Sequence, residues 1–211
     1  MTVYNQKTIL LVENEANIAR DEKNNLQRYD YRVILATSGE EAIRIIESNH
    51  DIDLIVMGID LGHGIDGAEA AQQILKKRDI PIIFLSNHPD SKIVEKTEQI
   101  LSYGYVVKNT DIIVLDALIK MALRHFETRV KEKKHVSFLN TIIENSPCAI
   151  WVSDTKGTIT RTNQRLRKTL NLSDDQIIGK YNVFNDNNLK QQNLINEVEK
   201  VFTEQKTAHF T

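Results

Sequence analysis

Apolar residues in the first part of the chain collect in short continuous runs: "TILLV" (Thr8–Val12), "RVILA" (Arg32–Ala36), "LIVM" (Leu54–Met57), "PIIFLS" (Pro81–Ser86) and "YVV" (Tyr105–Val107). None alternates with polar positions, so each reads as a strand buried on both faces. Between the runs the apolar residues recur at helical spacing: Ile18 and Leu26, then Ala42, Ile45 and Ile46, then Ala68, Ala71, Ile74 and Leu75. Strand–helix alternation of this kind predicts an α/β fold, a doubly wound five-stranded parallel sheet with helices on both sides.

In such a sheet the working crevice lies beyond the carboxyl ends of the strands, where strand order reverses. Glu13 and Asn14 follow the first strand, Gly58 and Asp60 the third, Ser86 and Asn87 the fourth, and Lys108 the fifth. Acids after strand one, a hydroxyl after strand four and a lysine after strand five resemble the receiver domain of two-component response regulators, a flavodoxin-like fold, over roughly Lys7 to Glu127. "GYVVKN" and "LLVENEANIA" are similar to receivers attached to PAS-containing sensor histidine kinases. The resemblance implies an aspartate ending strand three as phosphoryl acceptor. It implies Mg²⁺ held by two acids after strand one, that aspartate, and a backbone carbonyl two residues beyond it. Hard oxygen ligands suit this ion, which neutralises charge on the transferring group. Carried onto this chain, Glu13 and Asn14 fill the acid-pair positions, Asp60 supplies the carbonyl, and Ser86 and Lys108 would bind phosphate oxygens. Tyr105 is the aromatic that changes rotamer on activation.

The pattern is broken at its centre. Gly58 stands at the acceptor position, Asn14 replaces a metal-binding acid, and Asn109 follows the lysine where many receivers have proline. Without a carboxylate at Gly58 no acyl phosphate can form there, and the Mg²⁺ site is expected to be weak or empty. Read alone, Gly58 is a tight-turn glycine; read in register with the other strand ends, it marks a degenerate receiver. A phosphorylatable receiver with its acceptor mutated to glycine stays open. Lys108 is expected to approach Glu13 or swing out to water, because an unpaired buried ammonium is costly. The peptide before Asn109 is expected to be trans. His63 and His88 lie near the crevice mouth, but no cysteine accompanies them to favour a transition metal. Asp66 is a candidate cap for the helix after strand three.

From Asp111 a helical pattern continues without Gly or Pro until Pro147, with Leu115, Ile119, Ala122, Phe126 and Val130 forming an apolar stripe. The cluster Lys131, Lys133 and Lys134 reads as a solvated face. Beyond it, "AIWVSD" and "TITRTN" flank "TKG" as a hairpin, and "SDDQ" sets Ser173 and Gln176 at capping-box spacing. The "NSP" opening, the hairpin, Asn163 at the next helix start and "DDQIIGK" resemble the beginning of a PAS sensory domain, from about Phe138 onward. Cys148 reads as a packing residue in the first strand of that domain. His209 comes too late and alone to be a haem ligand. The late helix "NEVEKVFTEQK" leads to one more β-like run, "TAHFT". A five-stranded PAS sheet needs two more strands, so the domain is expected to be partial, with the natural gene continuing. The expected organisation is a receiver-like domain (1–128), a connecting helix (129–145) and a partial PAS domain (146–211).

Composition narrows the function. A formal net charge of -2 offers no concentrated basic face for nucleic acid. A single cysteine excludes an internal disulfide and fits a reducing compartment. The apolar run near the start is too short for a signal peptide or membrane span, so a cytoplasmic protein is expected. "GHGIDG" lacks the lysine and hydroxyl of a phosphate loop. No histidine sits in a kinase phosphoacceptor setting, and eight glycines leave no ATP lid. The reading is a phosphorelay signalling module without kinase chemistry of its own, the N-terminal part of a sensor histidine kinase. Its expected partners are a histidine kinase or other signalling domains, or a second copy through the connecting helix or PAS part. No cofactor is assigned. The competing class is a crevice enzyme such as a phosphatase using Ser86 and Lys108.

Overall fold

The computed structural model describes residues 6–87, 102–108 and 110–204. The chain divides into two compact units, Met1–Lys131 and Glu132–Thr211. In the first, β1 (Thr8–Val12), β2 (Arg32–Ala36), β3 (Leu54–Gly58), β4 (Ile82–Ser86) and β5 (Gly104–Val107) form a parallel sheet in the order β2-β1-β3-β4-β5. The helices α1 (Ala16–Arg28), α2 (Gly39–Ser48) and α3 (Gly67–Lys77) occupy the connections. The helix expected between β4 and β5 falls outside the described residues. Strand order reverses between β1 and β3, so their carboxyl ends open a crevice.

The strands are apolar throughout because both faces are covered. Leu10, Val12, Ile55, Met57, Ile82 and Phe84 pack on one side with α2 and α3 residues such as Ala42, Ile46, Ala71 and Ile74. Ile9, Leu11, Leu54, Val56, Ile83 and Leu85 pack on the other with Leu26, Leu115, Ile119 and Ala122. Asp66 caps α3, its Oδ1 accepting from Glu69 N at 2.7 Å, as its position predicts. α3 starts so close to the end of β3 that a Cβ on Gly67 would lie 1.9 Å from Gly58 O; only glycine fits there.

Helix α4 (Ile112–Glu144) begins one residue after Asp111, whose Oδ1 accepts from Ile113 N at 2.9 Å. Leu115, Ile119 and Ala122 of the expected stripe are buried, whereas Phe126 and Val130 are only half-buried. Tyr31 donates to the buried Asp116 at 2.8 Å, which ties the start of β2 to this helix.

In the second unit β6 (Trp151–Ser153) and β7 (Ile159–Thr162) pair antiparallel, with a bulge at Val152/Ser153 and Gly157 at φ 79° in the turn. Helices α5 (Gln164–Leu170), α6 (Asp174–Ile177), α7 (Asn187–Gln191) and α8 (Ile195–Glu204) follow, with a 3₁₀ turn at Val183–Asn185. Gln176 Oε1 accepts from Ser173 N at 2.9 Å, the expected capping contact. Ile159, Ile177, Val183 and Val198 are the buried apolar cluster. Cys148 corrects its packing role: it is exposed, in a bend before β6, and contributes its carbonyl, which accepts from Asn163 Nδ2 at 2.8 Å. His88, Asn109, His209 and the run "TAHFT" lie outside the described residues.

Candidate functional site

The crevice is built by the ends of β1, β3, β4 and β5, and it brings most of the sequence-predicted residues together. Glu13 follows β1, its N–H donating to Ala36 O at 3.0 Å; Lys108 follows β5, its N–H donating to Ser86 O at 2.7 Å. Continuing the ladder by one residue fixes both side chains over the sheet end. There Lys108 Nζ lies 2.8 Å from Glu13 Oε2, with side-chain exposures of only 2% and 0%. Glu15 Oε1 stands farther off at 3.8 Å. The other oxygen, Glu13 Oε1, accepts from Glu15 N at 3.0 Å. Neither Lys108 Nζ nor Glu13 Oε2 makes an aligned hydrogen bond, so the pair is held by Coulomb attraction set against the desolvation cost of both charges.

Gly58 ends β3 beside this pair and is buried. A Cβ there would lie 2.9 Å from Val12 O, 3.1 Å from Leu61 Cδ2 and 3.4 Å from Glu13 Oε2. Leu61, at 4% exposure, fills the space in front of the strand end. Ser86 is buried at the end of β4 and Tyr105 is half-buried on β5. Asn14 and Asp60 are exposed; Asn14 Nδ2 turns to Gly62, and Asp60 Oδ1 accepts from Gly62 N at 3.2 Å. His63 is exposed in the same loop.

The Mg²⁺ that the fold implies does not fit these residues. Glu13 spends one oxygen on Lys108 and the other on a backbone N–H, Asn14 is uncharged, and Gly58 offers nothing. An ion demanding near-octahedral oxygen coordination finds no unspent carboxylate among these three positions. Among the described residues no group of three or more His, Cys, Asp or Glu could hold a metal.

One residue of the site was missed by sequence reasoning. Glu22 Oε2 is buried and has no hydrogen-bond partner. Burial, reinforced by the Glu13 carboxylate and opposed by Lys108, pushes the Glu22 carboxyl up to about 7. It lines a cavity of about 100 Å³ with Ile18, Leu85, Val106 and Leu115. The signal was present: Ile18, Glu22 and Leu26 are four apart, so the carboxylate sits on the apolar stripe of α1. A larger groove of about 580 Å³ lies at the opposite, amino ends of the strands. Its Lys7 is paired with Asp53 and Glu127, and its Arg78 donates to the backbone carbonyls of Asn49, His50 and Ile52.

Comparison with known proteins agrees with this geometry. The response regulator receiver domain matches residues 9–120 and the PAS fold matches residues 137–208. The transcriptional regulatory protein AfsQ1 of Streptomyces coelicolor is 31% identical over 159 residues, 75% of this chain and 69% of that protein. The probable transcriptional regulator ycf27 of Cyanidium caldarium is 33% identical over 137 residues, covering 64% of this chain. That match spans about half, 53%, of the ycf27 chain. Among solved structures, the N-terminal domain of a response regulator/sensory box/GGDEF three-domain protein from Carboxydothermus hydrogenoformans is 38% identical with a TM-score of 0.56, covering 59% of this chain and 99% of that one. Response regulator TrrA from Thermotoga maritima, solved with Mg²⁺ and BeF, is 33% identical with a TM-score of 0.50, covering 55% of this chain and 97% of that one. The chain belongs to the response regulator receiver family, and a PAS fold follows its receiver domain.

Proposed function

We propose that this chain is a two-component signalling module whose receiver acts by docking, not by phosphorylation, with the PAS part as the sensing element. The observation that carries the reading is Gly58: the strand end that should present a carboxylate has no side chain, while Lys108 is already neutralised by Glu13. Aspartyl phosphate cannot form without that carboxylate, and the remaining donors do not assemble a Mg²⁺ site. The module has no catalytic role of its own. A phosphatase reading is disfavoured by the same ion pair, because a lysine held charged beside a carboxylate cannot serve Ser86 as base. The family setting and the PAS fold support a place in the front part of a sensor histidine kinase, in the cytoplasm. Histidine kinases, other signalling domains or a second copy are its partners. No described helix is long and apolar enough to cross a membrane. We place the receiver at residues 1–128, the connecting part of α4 at 129–145, and the PAS part at 146–211.

The test is phosphotransfer. Incubated with a low-molecular-weight phosphodonor and Mg²⁺, the chain should show no added phosphoryl group by intact mass. Stoichiometric aspartyl phosphate would refute the reading.

A further inference from the structure

We infer that the receiver crevice is plugged from within: Glu13, Leu61 and Lys108 fill the space and satisfy the charges that an acceptor side chain and a divalent cation would use. The inference rests on the reading of an unphosphorylated receiver and deepens it. The site has closed over its missing group and is held in a single state.

Three observations converge on this. The first is steric. A Cβ at position 58 would meet the main-chain oxygen of Val12 at 2.9 Å and Leu61 Cδ2 at 3.1 Å. Leu61 can rotate, but Val12 is pinned in the ladder opposite Met57 on β3 and Ala36 on β2, so the backbone contact cannot be relieved locally. The second is electrostatic. Lys108 and Glu13 are almost fully buried against each other, and a cation claiming Glu13 would leave the ammonium with the more distant Glu15 Oε1 at 3.8 Å. The third is geometric. Asn14 is exposed with its Nδ2 beside Gly62, whereas Glu13 is fully buried, so only one of the two acid-pair positions lies inside the crevice.

The consequence concerns regulation. In a crevice that neither receives a phosphoryl group nor exchanges its ion pair, nothing moves Lys108 relative to Ser86, and Tyr105 receives no stimulus from this side. A partner therefore reads one unvarying receiver surface, and any switching of the chain originates outside this crevice. Supplying the nucleophile alone by Gly58→Asp does not reopen the site.

The experiment uses the full chain and two variants, Gly58→Ala and Gly58→Asp. Gly58→Ala adds only the Cβ and should lower the folding equilibrium constant of the receiver by about tenfold or more, as overpacking does. Gly58→Asp, given a small phosphodonor and Mg²⁺, should remain unlabelled. Acetylation of native protein with acetic anhydride should leave Lys108 at least about tenfold slower than exposed Lys156, as burial of its amine demands. The plug is overturned if Gly58→Ala is as stable as the parent, if Gly58→Asp is labelled stoichiometrically, or if Lys108 reacts as fast as Lys156. Labelling of the parent chain would instead refute the unphosphorylated-receiver reading. The stability and acetylation results judge the plug even where Gly58→Asp fails to fold.

Discussion

The two compact units secure their chains by different means. In the first, a five-stranded parallel sheet presents alternating residues to two apolar clusters, and its central strands are buried along their whole length. In the second, the buried apolar cluster is Ile159, Ile177, Val183 and Val198, supplemented by half-buried residues such as Phe184 and Phe202, whose rings meet edge-on at 4.9 Å. Polar side chains do more of the fastening there. Asn163 is fully buried and makes four bonds: it accepts from Ile150 N and Leu166 N, and donates to Ile143 O and Cys148 O. Arg167 bridges Glu144 and Asp174. The difference teaches where each unit has latitude. A unit with a surplus of buried apolar surface can hold an uncompensated polar group such as Glu22, whereas one with a small core depends on every polar bond being made.

The strongest way to break the comparison is to remove part of the larger core. Phe84 is 0% exposed on β4, and Phe84→Ala should cost about 3–5 kcal/mol through lost burial and a residual cavity. The chain has a single tryptophan, Trp151 on β6, so its fluorescence reports the second unit while far-UV circular dichroism reports both. After Phe84→Ala the dichroism midpoint should fall and the Trp151 midpoint should hold. Equal shifts in both signals would show that the units do not unfold independently.

A smaller effect comes from Glu22. Its carboxyl titrates at about 7 in the folded chain against an ordinary 4.5. The native state therefore binds its proton more tightly than the unfolded chain does. Stability falls as pH rises from about 4.5 through about 7, and the full penalty, roughly 3 kcal/mol from that shift, applies only above this window. Glu22→Gln imitates the protonated carboxyl, so it should match the parent near pH 4 and be the more stable protein at pH 8. Denaturant midpoints of the first unit across this range would check it. A variant equally stabilised at both pH values would assign the effect to something other than ionisation.

Much of the first unit was legible because its strands are continuous apolar runs whose ends carry the site. The strand-end positions of Glu13, Gly58, Ser86 and Lys108 followed from the runs themselves. The Asp66 cap was one candidate reading, and the approach of Lys108 to Glu13 was one of two expected outcomes, the other being a swing out to water. What was not legible depends on distances between backbones. The contact of a Cβ at position 58 with Val12 O needs the spacing of β1 and β3, and the placement of Leu61 needs the path of the following loop. Glu22 was hidden by its charged neighbours in "ARDEKNN", although its spacing from Ile18 and Leu26 marked the buried face. In the second unit Asn163 was legible as a helix start, and its bond to Ile143 O was not, because that partner lies 20 residues earlier in the chain.

That bond gives the last prediction, the smallest in energy and the most direct on what fastens the second unit. Replacing Asn163 with alanine deletes an acceptor for two backbone N–H groups and a donor for two carbonyls. Ile143 and Ile150 are half-buried and Cys148 is exposed, so water can recover some of these groups. Leu166 N lies in a buried setting and loses its cap outright. The net cost should be about 2 kcal/mol, within the range for a lost cap plus an unsatisfied buried group. Against a cluster of four buried apolar residues this is a large share, and the Trp151 transition should move to visibly lower denaturant while the first unit stays in place. Asn163→Asp separates the two halves of the hub. It keeps both acceptor bonds but loses both donations, setting a carboxylate against the carbonyls of Ile143 and Cys148. If the donations matter, Asn163→Asp should be destabilised despite its intact cap, and more so as pH rises through the carboxylate range, where the added charge forms. If it is as stable as the parent, Asn163 is an N-cap alone, and the end of α4 is held by the Glu144–Arg167 pair instead.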